Sequence, residues 1–255
     1  MYRYKLVLGY IGKSFYGSQK QINFKTVFGL LEDTLSKTLN HSIVIIPCGR
    51  TDSGVSAYKS VCHFNFNFCL NTFKIQTTLN NKLNSQGIII YNLSLISSSF
   101  HSLNSCSSRQ YSYFFSINHK CPSYLLNSVA IIPMKTYSPI NNAWLKNRIL
   151  GNKNFFHLCN KSNSNYTYLR NIMNFDFKIL NHLSIYGERI VLFQVDISAN
   201  GFLYRMIRHF LGLLVECMKN NDGNQLFLDY LCFNRPIKYN LAPPEGLHLM
   251  KVDYN

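Results

Sequence analysis

The alternation of polar and apolar residues along its predicted strands is the feature that most limits how this chain can fold. In the segment "RYKLVLGY", Tyr4, Leu6, Leu8 and Tyr10 alternate with Arg3, Lys5, Val7 and Gly9. This pattern is typical of a strand that buries one face. Strands of parallel sheets are usually apolar on both faces. The alternation therefore predicts an α+β fold with mainly antiparallel sheets.

Periodicity along the rest of the chain predicts two similar halves. Apolar residues recur at helical spacing from Val27 to Leu39, with Thr26 as the predicted N-cap. Other predicted N-terminal elements are the strand "SIVIIP", the strand "SVCHFNFNF" with Cys62, Phe64, Phe66 and Phe68 on one face, a helix at 72–83 and a strand at 88–96. The C-terminal half has predicted strands at "RQYSYFFSIN", 168–180, 188–197 and "LHLMKVDY", and helices at "NNAWLKNRIL", 201–218 and 224–231. We predict domains at 1–104 and 105–255, with a central cleft between them.

The charge of the chain indicates a polyanionic partner. It has 26 Lys and Arg against 11 Asp and Glu, a formal net charge of +15. Such an excess is typical of proteins that bind nucleic acid or an anionic membrane surface. Compositional drift in an AT-rich genome is the alternative, because the chain is also rich in Asn, Ile, Phe and Tyr.

Cysteine spacing and hydropathy exclude several classes of protein. None of the eight cysteines forms a C-x-x-C pair, so we expect free thiols in a reducing compartment and no zinc site. The N-terminus lacks the apolar core of a signal peptide. The most apolar helical stretch, "FLYRMIRHFLGLLVECM", is interrupted by charged residues and is not expected to span a bilayer. These features predict a cytoplasmic protein without a membrane segment.

The segment "CGRTDSGVSA" places an acid in a loop between two glycines. Gly49 and Gly54 permit positive φ angles and the close approach of a ligand, while Arg50 and Thr51 put a charge and a hydroxyl beside Asp52. A catalytic carboxylate must stay ionised when substrate covers it, which requires a nearby cation, such as Arg50, Arg205 or Arg208. From local features alone, an Asx-turn is favoured over catalysis.

Five ordered motifs change that balance, because together they resemble the TruA family of tRNA pseudouridine synthases. "CGRTDSGVSA" resembles the family signature G-R-T-D-[AS]-G-V-[HS]-[AG]. The other four motifs are "YIGKSFYGSQKQ", "SFHSLNSCSSRQYSYFF", "VDISANGFLYRMIRHFLGLLVECM" and "LAPPEGLHLMKVDY". They cover most of the chain in the order that the family shows.

The resemblance implies a pseudouridine-synthase fold around an RNA-binding cleft and an isomerase that acts on uridines 38 to 40 of the tRNA anticodon arm. Asp52 matches the catalytic aspartate, and Arg208 matches the arginine that pairs with it. Tyr111 matches the tyrosine that packs against the target base, and Arg50 the arginine that helps to displace the base. The family is homodimeric and uses no cofactor and no metal. Isomerisation needs neither a redox step nor group transfer to a second molecule.

The chain departs from the family pattern at three positions. Ser18 stands where most members have Trp, Ser56 where His is common, and Leu103 where an RNA-contacting arginine is expected. At these positions, the contacts to the anticodon arm are expected to differ from those of most family members. His63 and His101 are interpreted as structural, and His209 as facing either RNA or nothing.

Two other functions compete with this interpretation. A non-catalytic tRNA-binding or chaperone protein with the same fold would not need Asp52. A glycosidase with an aspartate nucleophile normally requires a second carboxylate as acid, and the motifs contain no evident partner. Tyr111 also lies in an alternating strand, where a tyrosine usually packs in the core.

Overall fold

The structure used here is a computed structural model, and it describes residues 1–118, 121–138, 140–160, 167–183, 187, 189–220, 222–231 and 238–254. These residues form two compact units. Unit 1 comprises Met1–Gln110 and His248–Asn255, and unit 2 comprises Tyr111–Leu247. The division into domains at 1–104 and 105–255 stays a prediction.

The central strand of unit 1 is the alternating segment at the N-terminus. Strand β1, Tyr2–Tyr10, pairs antiparallel with β3, Ser56–Phe66, and with β4, Ile88–Ile96. Leu6 lies opposite Cys62 on one side and Leu93 on the other, and both Leu6 and Leu8 are fully buried. The alternation in the sequence thus forms the core face of the sheet, as predicted.

Two helices add further apolar residues to the unit 1 core. Helix α1, Val27–Leu39, and helix α2, Thr72–Leu83, have the predicted bounds, and Leu31, Leu35, Leu79 and Leu83 are fully buried. Asn71 caps α2 by accepting the amide of Lys74 at 3.0 Å. Thr26 occupies the N-cap position of α1 in an extended conformation, but its side chain makes no capping bond. The predicted start of α1 is confirmed without that bond.

Two strand predictions in unit 1 had the wrong bounds: "SIVIIP" was too long, and "SVCHFNFNF" began four residues too late and ended two residues too late. "SIVIIP" forms a strand, β2, only at Ile46–Pro47, where it pairs with β3. Phe68 lies beyond the end of β3 and is exposed, because the strand ends at Phe66. The last strand, β10, Leu247–Tyr254, pairs parallel with β3 at His248 and Ser56. The sheet order in this unit is β4-β1-β3-β10.

Unit 2 is built on long antiparallel strands. Its strands are β5, Cys106–Ile117, which begins in unit 1; β6, Ala130–Ile132; β7, Gly151–Asn154; β8, Leu169–Leu183; and β9, Arg189–Ala199. Strands β8 and β9 form a long antiparallel pair in which Phe175 lies opposite Ile197, and both are buried. The strand order is β5-β9-β8-β7, with β6 parallel to β5. The short strands β6 and β7 were not predicted, and Glu188, the predicted start of β9, lies outside the described residues.

The helices of unit 2 are α3, Asn142–Ile149; α4, Met206–Met218; and α5, Gly223–Leu231. Helix α4 was predicted to begin at Gly201, but it begins five residues later. Arg205, its N-cap residue, has a φ of 59°, a left-handed conformation that cannot continue a right-handed helix. The later start places Arg208 in the first turn of α4.

These elements confirm an α+β fold with mainly antiparallel pairing. Among the strand pairs whose direction is described, two are parallel, β10 with β3 and β6 with β5, and the others are antiparallel. None of the helices within the described ranges is long and apolar enough to cross a membrane. The two similar halves and the cleft remain predictions.

Candidate active site

Asp52 lies in the turn that connects β2 to β3 in unit 1. Its side chain is half-buried, and its carbonyl accepts the amide of Val55 at 3.2 Å. Gly54 has a φ of +83°, which allows the tight turn, whereas Gly49 does not use the positive φ that glycine permits. Arg50 is exposed. We call residues 50–56 the Asp52 segment.

A second loop holds the Asp52 segment by backbone and side-chain hydrogen bonds. The amide of Ser18 donates to the Thr51 carbonyl at 3.1 Å, and the Thr51 amide donates to Ser18 Oγ at 2.8 Å. The hydroxyl of Tyr10 lies 2.9 Å from Thr51 Oγ1, and Ser53 Oγ donates to the carbonyl of Phe15 at 3.3 Å. Two of the sequence motifs, "YIGKSFYGSQKQ" and "GRTDSG", therefore meet in unit 1. We call residues 12–18 the supporting loop.

Two glycines make this close approach between the loops possible. A Cβ on Gly12 would lie 2.3 Å from the carbonyl carbon and oxygen of Val55. Gly17 has a φ of +83°, and a Cβ there would lie 3.1 Å from the Thr51 carbonyl oxygen. The amide of Gly12 donates to Ser56 Oγ at 3.0 Å. Glycine is required at position 12 by space and at position 17 by conformation.

Arg109 is a supporting residue that the sequence analysis missed. Its guanidinium donates to the carbonyl of Cys48, and its Nε lies 3.3 Å from where a Cβ of Gly49 would be. Cys48 is fully buried, so its carbonyl benefits from a charged donor. Arg109 precedes Tyr111 by two positions in the motif "RQYSY". The fixed spacing of this arginine from Tyr111 in the motif was the sequence signal for its role, but only the tyrosine was assigned a function.

Tyr111 lies in β5, in unit 2, and is 8% exposed. Its ring packs against Phe202 in a T-shaped pair, with the centroids 5.3 Å apart and the planes at 87°. This aromatic pair fixes the orientation of the tyrosine ring.

Arg208 lies in the first turn of α4 and is tied to the segment before β10. Its Nε donates to the carbonyl of Ala242 at 2.8 Å, and the amide of Ala242 donates to the Arg208 carbonyl at 3.1 Å. The motifs "MIRHF" and "LAPPEG" therefore meet in unit 2, at a rigid position.

Tyr113, two residues after Tyr111, shows the electrostatics around Arg208. Burial raises the pKa of the Tyr113 hydroxyl, Glu245 raises it further, and Arg208 opposes the increase. The hydroxyl oxygen is buried, with no hydrogen-bond partner among the described residues. Tyr113 is therefore neutral and packs in the core.

The histidines have structural partners, as we expected for His63 and His101. Nδ1 of His63 lies 2.8 Å from Ser102 Oγ, and burial lowers the pKa of His63 to about 4, so the ring is neutral at pH 7. His101 Nδ1 accepts the amides of Leu103 and Asn104 at 3.2 Å. His209, expected to face RNA or nothing, instead has Nε2 2.7 Å from Asn160 Oδ1.

The four predicted site residues are thus divided between the two units. Arg50 and Asp52 share one segment of unit 1, and Tyr111 and Arg208 belong to unit 2. Their convergence on one substrate stays a prediction. Within the described ranges, no group of three or more His, Cys, Asp or Glu side chains could hold a metal ion.

The chain has relatives that match it over nearly its whole length. A family model described as tRNA pseudouridine synthase matches residues 147–255. The tRNA pseudouridine synthase A of Phytoplasma mali is 32% identical over 255 residues, which cover 99% of both chains. The tRNA pseudouridine synthase A of Ehrlichia chaffeensis is 28% identical over 263 residues, which cover 99% of this chain and 100% of the relative. The chain therefore belongs to the tRNA pseudouridine synthase A family.

Proposed function

We propose that this protein isomerises uridine to pseudouridine at positions 38, 39 and 40 in the anticodon arm of tRNA, with Asp52 as the catalytic carboxylate. The observation that carries the proposal is the way unit 1 holds the Asp52 segment. Thr51, the residue before the acid, is bonded through its amide, carbonyl and hydroxyl. Bonds to two buried residues, Ser18 and Tyr10, restrain the chain next to the acid, which supports a carboxylate that is held in one place for catalysis. The full-length relationship to tRNA pseudouridine synthases supports the same conclusion.

The reaction needs one carboxylate and no second substrate. The N1–C1′ bond of uridine breaks, the uracil rotates, and a C5–C1′ bond forms. C5 then loses its proton to solvent, and N1 gains one, so atoms and electrons balance. Asp52 acts either as a nucleophile or as a proton acceptor at the ribose.

Arg208 is the proposed partner of the Asp52 carboxylate. It lies in the first turn of α4, where the positive end of the helix dipole disfavours a cation. An anion beside the guanidinium offsets that repulsion, and the cation keeps the carboxylate ionised when substrate excludes water. The two bonds between Arg208 and Ala242 support this role, because they restrain the arginine in a fixed position.

Tyr111 and Arg50 are the proposed contacts to the target nucleotide. A uridine in a stem must leave the helix to react, at a cost of a few kcal/mol. Stacking on an aromatic ring returns about 1–3 kcal/mol. Tyr111 forms a T-shaped pair with Phe202, which supports a fixed ring for the extruded base. Arg50 is exposed and lies two residues before Asp52. This position is suitable for a cation that displaces the target base from the stem.

The remaining features of the proposal follow from charge and family. The net charge of +15 favours binding to the tRNA phosphates. We also propose a cytoplasmic homodimer that uses no metal and no cofactor, since the isomerisation needs neither.

Release of tritium tests the function directly. A tRNA transcript labelled with 5-tritiated uridine loses tritium to water when pseudouridine forms. We expect release by the wild type, and none by Asp52→Asn, which keeps the side-chain size but removes the charge. Asp33→Asn, the same change at an exposed acid of α1, is the matched control and should be fully active. Transcripts with cytidine at positions 38 to 40 should release no tritium from the anticodon arm.

Other outcomes would identify the competing functions. Equal release by wild type and Asp52→Asn would remove Asp52 from the mechanism. Tight tRNA binding without release by either protein would indicate a non-catalytic binding protein. Free uracil among the products would indicate a glycosidase.

A further inference from the structure

Two serines that depart from the family pattern connect the supporting loop and the Asp52 segment. Ser18 belongs to the supporting loop and is fully buried, and its Oγ accepts the amide of Thr51 at 2.8 Å. Ser56 belongs to the Asp52 segment and is 6% exposed, and its Oγ accepts the amide of Gly12 at 3.0 Å. Each loop thus contributes one serine side chain that satisfies a backbone amide of the other loop.

The bond from Ser18 acts directly beside the catalytic acid. Thr51 precedes Asp52, and both its amide and its carbonyl are bonded to the same residue, Ser18. Two bonds to one rigid partner restrain the orientation of the peptide that leads into Asp52. A buried amide donor that loses its acceptor is strongly disfavoured, so the segment would shift to find another partner.

The bond from Ser56 fixes the other end of the same segment. Gly12 packs so closely against Val55 that a Cβ would lie 2.3 Å from its carbonyl group. This close packing places the Gly12 amide beside the Asp52 segment, from which its acceptor comes. Ser56 Oγ supplies it, at the start of β3.

We infer that Ser18 and Ser56 are positioning residues that together set the direction of the Asp52 carboxylate, Ser18 having the larger effect. This inference rests on the proposed role of Asp52. It gives the two serines a purpose: each small hydroxyl accepts a backbone amide of the other loop. Neither serine needs to touch the tRNA.

The test separates the rate of the chemical step from tRNA binding. Single-turnover tritium release at saturating enzyme and the Kd for unmodified tRNA are measured for wild type, Ser18→Ala, Ser18→Cys and Ser56→Ala. Ser18→Cys keeps the side-chain size but provides a weaker acceptor. Ser36→Ala is the matched control, because Ser36 Oγ also accepts a backbone amide, that of Ile43, at 3.0 Å, but contacts no residue of the Asp52 segment through this bond.

We expect both Ser18 variants to lower the single-turnover rate by about 10-fold or more, since small displacements of a catalytic group are costly. Ser56→Ala should lower it by a smaller factor. The Kd for tRNA should stay within about 2-fold of wild type, because hydrogen bonds within the protein are changed and phosphate contacts are not. Ser36→Ala should keep the wild-type rate.

The possible failures are distinguishable. If wild type is active, Asp52→Asn is inactive and both Ser18 variants react at the wild-type rate, the positioning role is overturned and the proposed function stands. If wild type shows no release, the proposed function fails. Amide exchange then tests the positioning alone: the Thr51 amide should exchange faster in Ser18→Ala than in wild type, and unchanged exchange would overturn the inference. A rate loss in Ser36→Ala equal to that in Ser18→Ala would also overturn it, since general destabilisation would explain both.

Discussion

Replacing Gly12 with alanine should disable the Asp52 segment without any change to a functional group. The added Cβ would lie 2.3 Å from the carbonyl carbon and oxygen of Val55 and 2.6 Å from the carbonyl carbon of Gly54. All three contacts are backbone atoms, so no flexible side chain can rotate away. Gly12 itself is buried. The strain must be relieved by separating the supporting loop from the Asp52 segment.

The size of the effect follows from the distances. An ordinary van der Waals contact begins near 3.4 Å, so the Cβ and the Val55 carbonyl must separate by roughly 1 Å. Overpacking of this kind costs about 1–3 kcal/mol of folding stability. A misplacement of about 1 Å at a catalytic group can lower the rate by about 100-fold. We therefore expect a protein that still folds, with a single-turnover rate lowered by about 100-fold and a folding stability lowered by about 1–3 kcal/mol.

The assay compares Gly12→Ala with two other glycine variants. Gly151→Ala, in β7, is the control for backbone strain: its φ is +82°, and nothing lies within 4 Å of the added Cβ. It should cost about 1 kcal/mol of stability and leave the rate unchanged. Gly49→Ala meets only Arg109 Nε at 3.3 Å, the end of a flexible side chain, so its rate loss should be intermediate. Tritium release gives the rates, and urea unfolding gives the stabilities.

Two results would refute this reasoning. If Gly12→Ala folds, unfolds at the same urea concentration as wild type and releases tritium at the wild-type rate, the packing of the two loops does not control the segment. A rate loss in Gly151→Ala as large as that in Gly12→Ala would refute it as well, because strain far from the segment would then be sufficient.

Three further predictions concern other parts of the protein. Arg109→Gln should lower the free energy of unfolding by about 1–3 kcal/mol, through loss of the charged donor to Cys48, and should speed amide exchange in the Asp52 segment; exposed Arg148→Gln should do neither. Burial lowers the pKa of His63 to about 4, so below about pH 6.5 the unfolded chain binds a proton at this histidine that the folded protein does not bind. The free energy of unfolding should therefore fall by about 1–2 kcal/mol as the pH falls from 6.5 towards 4. Urea unfolding at several pH values should show that this free energy depends less steeply on pH in His63→Gln than in wild type. The Kd for tRNA should rise about 100-fold or more between 50 and 200 mM salt, and a flat salt dependence in filter binding would contradict the phosphate-contact model.

The fold was predictable where burial produces a clear period. Helix α2 and strand β4 have the bounds read from the sequence, because their apolar residues repeat at 3.6 and 2 positions. Helix α4 was misjudged because Arg205 adopts a left-handed conformation that no residue pattern announces. Short strands such as β6 are set by their partner and not by their own composition, so no periodicity marks them.

The sequence predicted which side chains are the candidate catalytic and binding groups, but it did not predict which residues hold them in place. Asp52, Tyr111 and Arg208 belong to motifs with fixed spacing. Ser18 and Ser56 were regarded as departures, because a serine acceptor for a backbone amide depends on contacts between residues 33 and 44 positions apart in the chain. Such contacts leave no trace in local sequence.

The buried thiol of Cys48 allows the opening of the chain next to the Asp52 segment to be measured by chemical labelling. Its thiol is fully buried, and burial raises its pKa, so a thiol-alkylating reagent cannot modify it in the closed protein. Exposed Cys69 would react at once and provides the internal standard. The labelling rate of Cys48 therefore measures how often the chain just before the Asp52 segment opens to solvent. Added tRNA should lower the labelling rate of Cys48 if the bound nucleic acid reduces this opening.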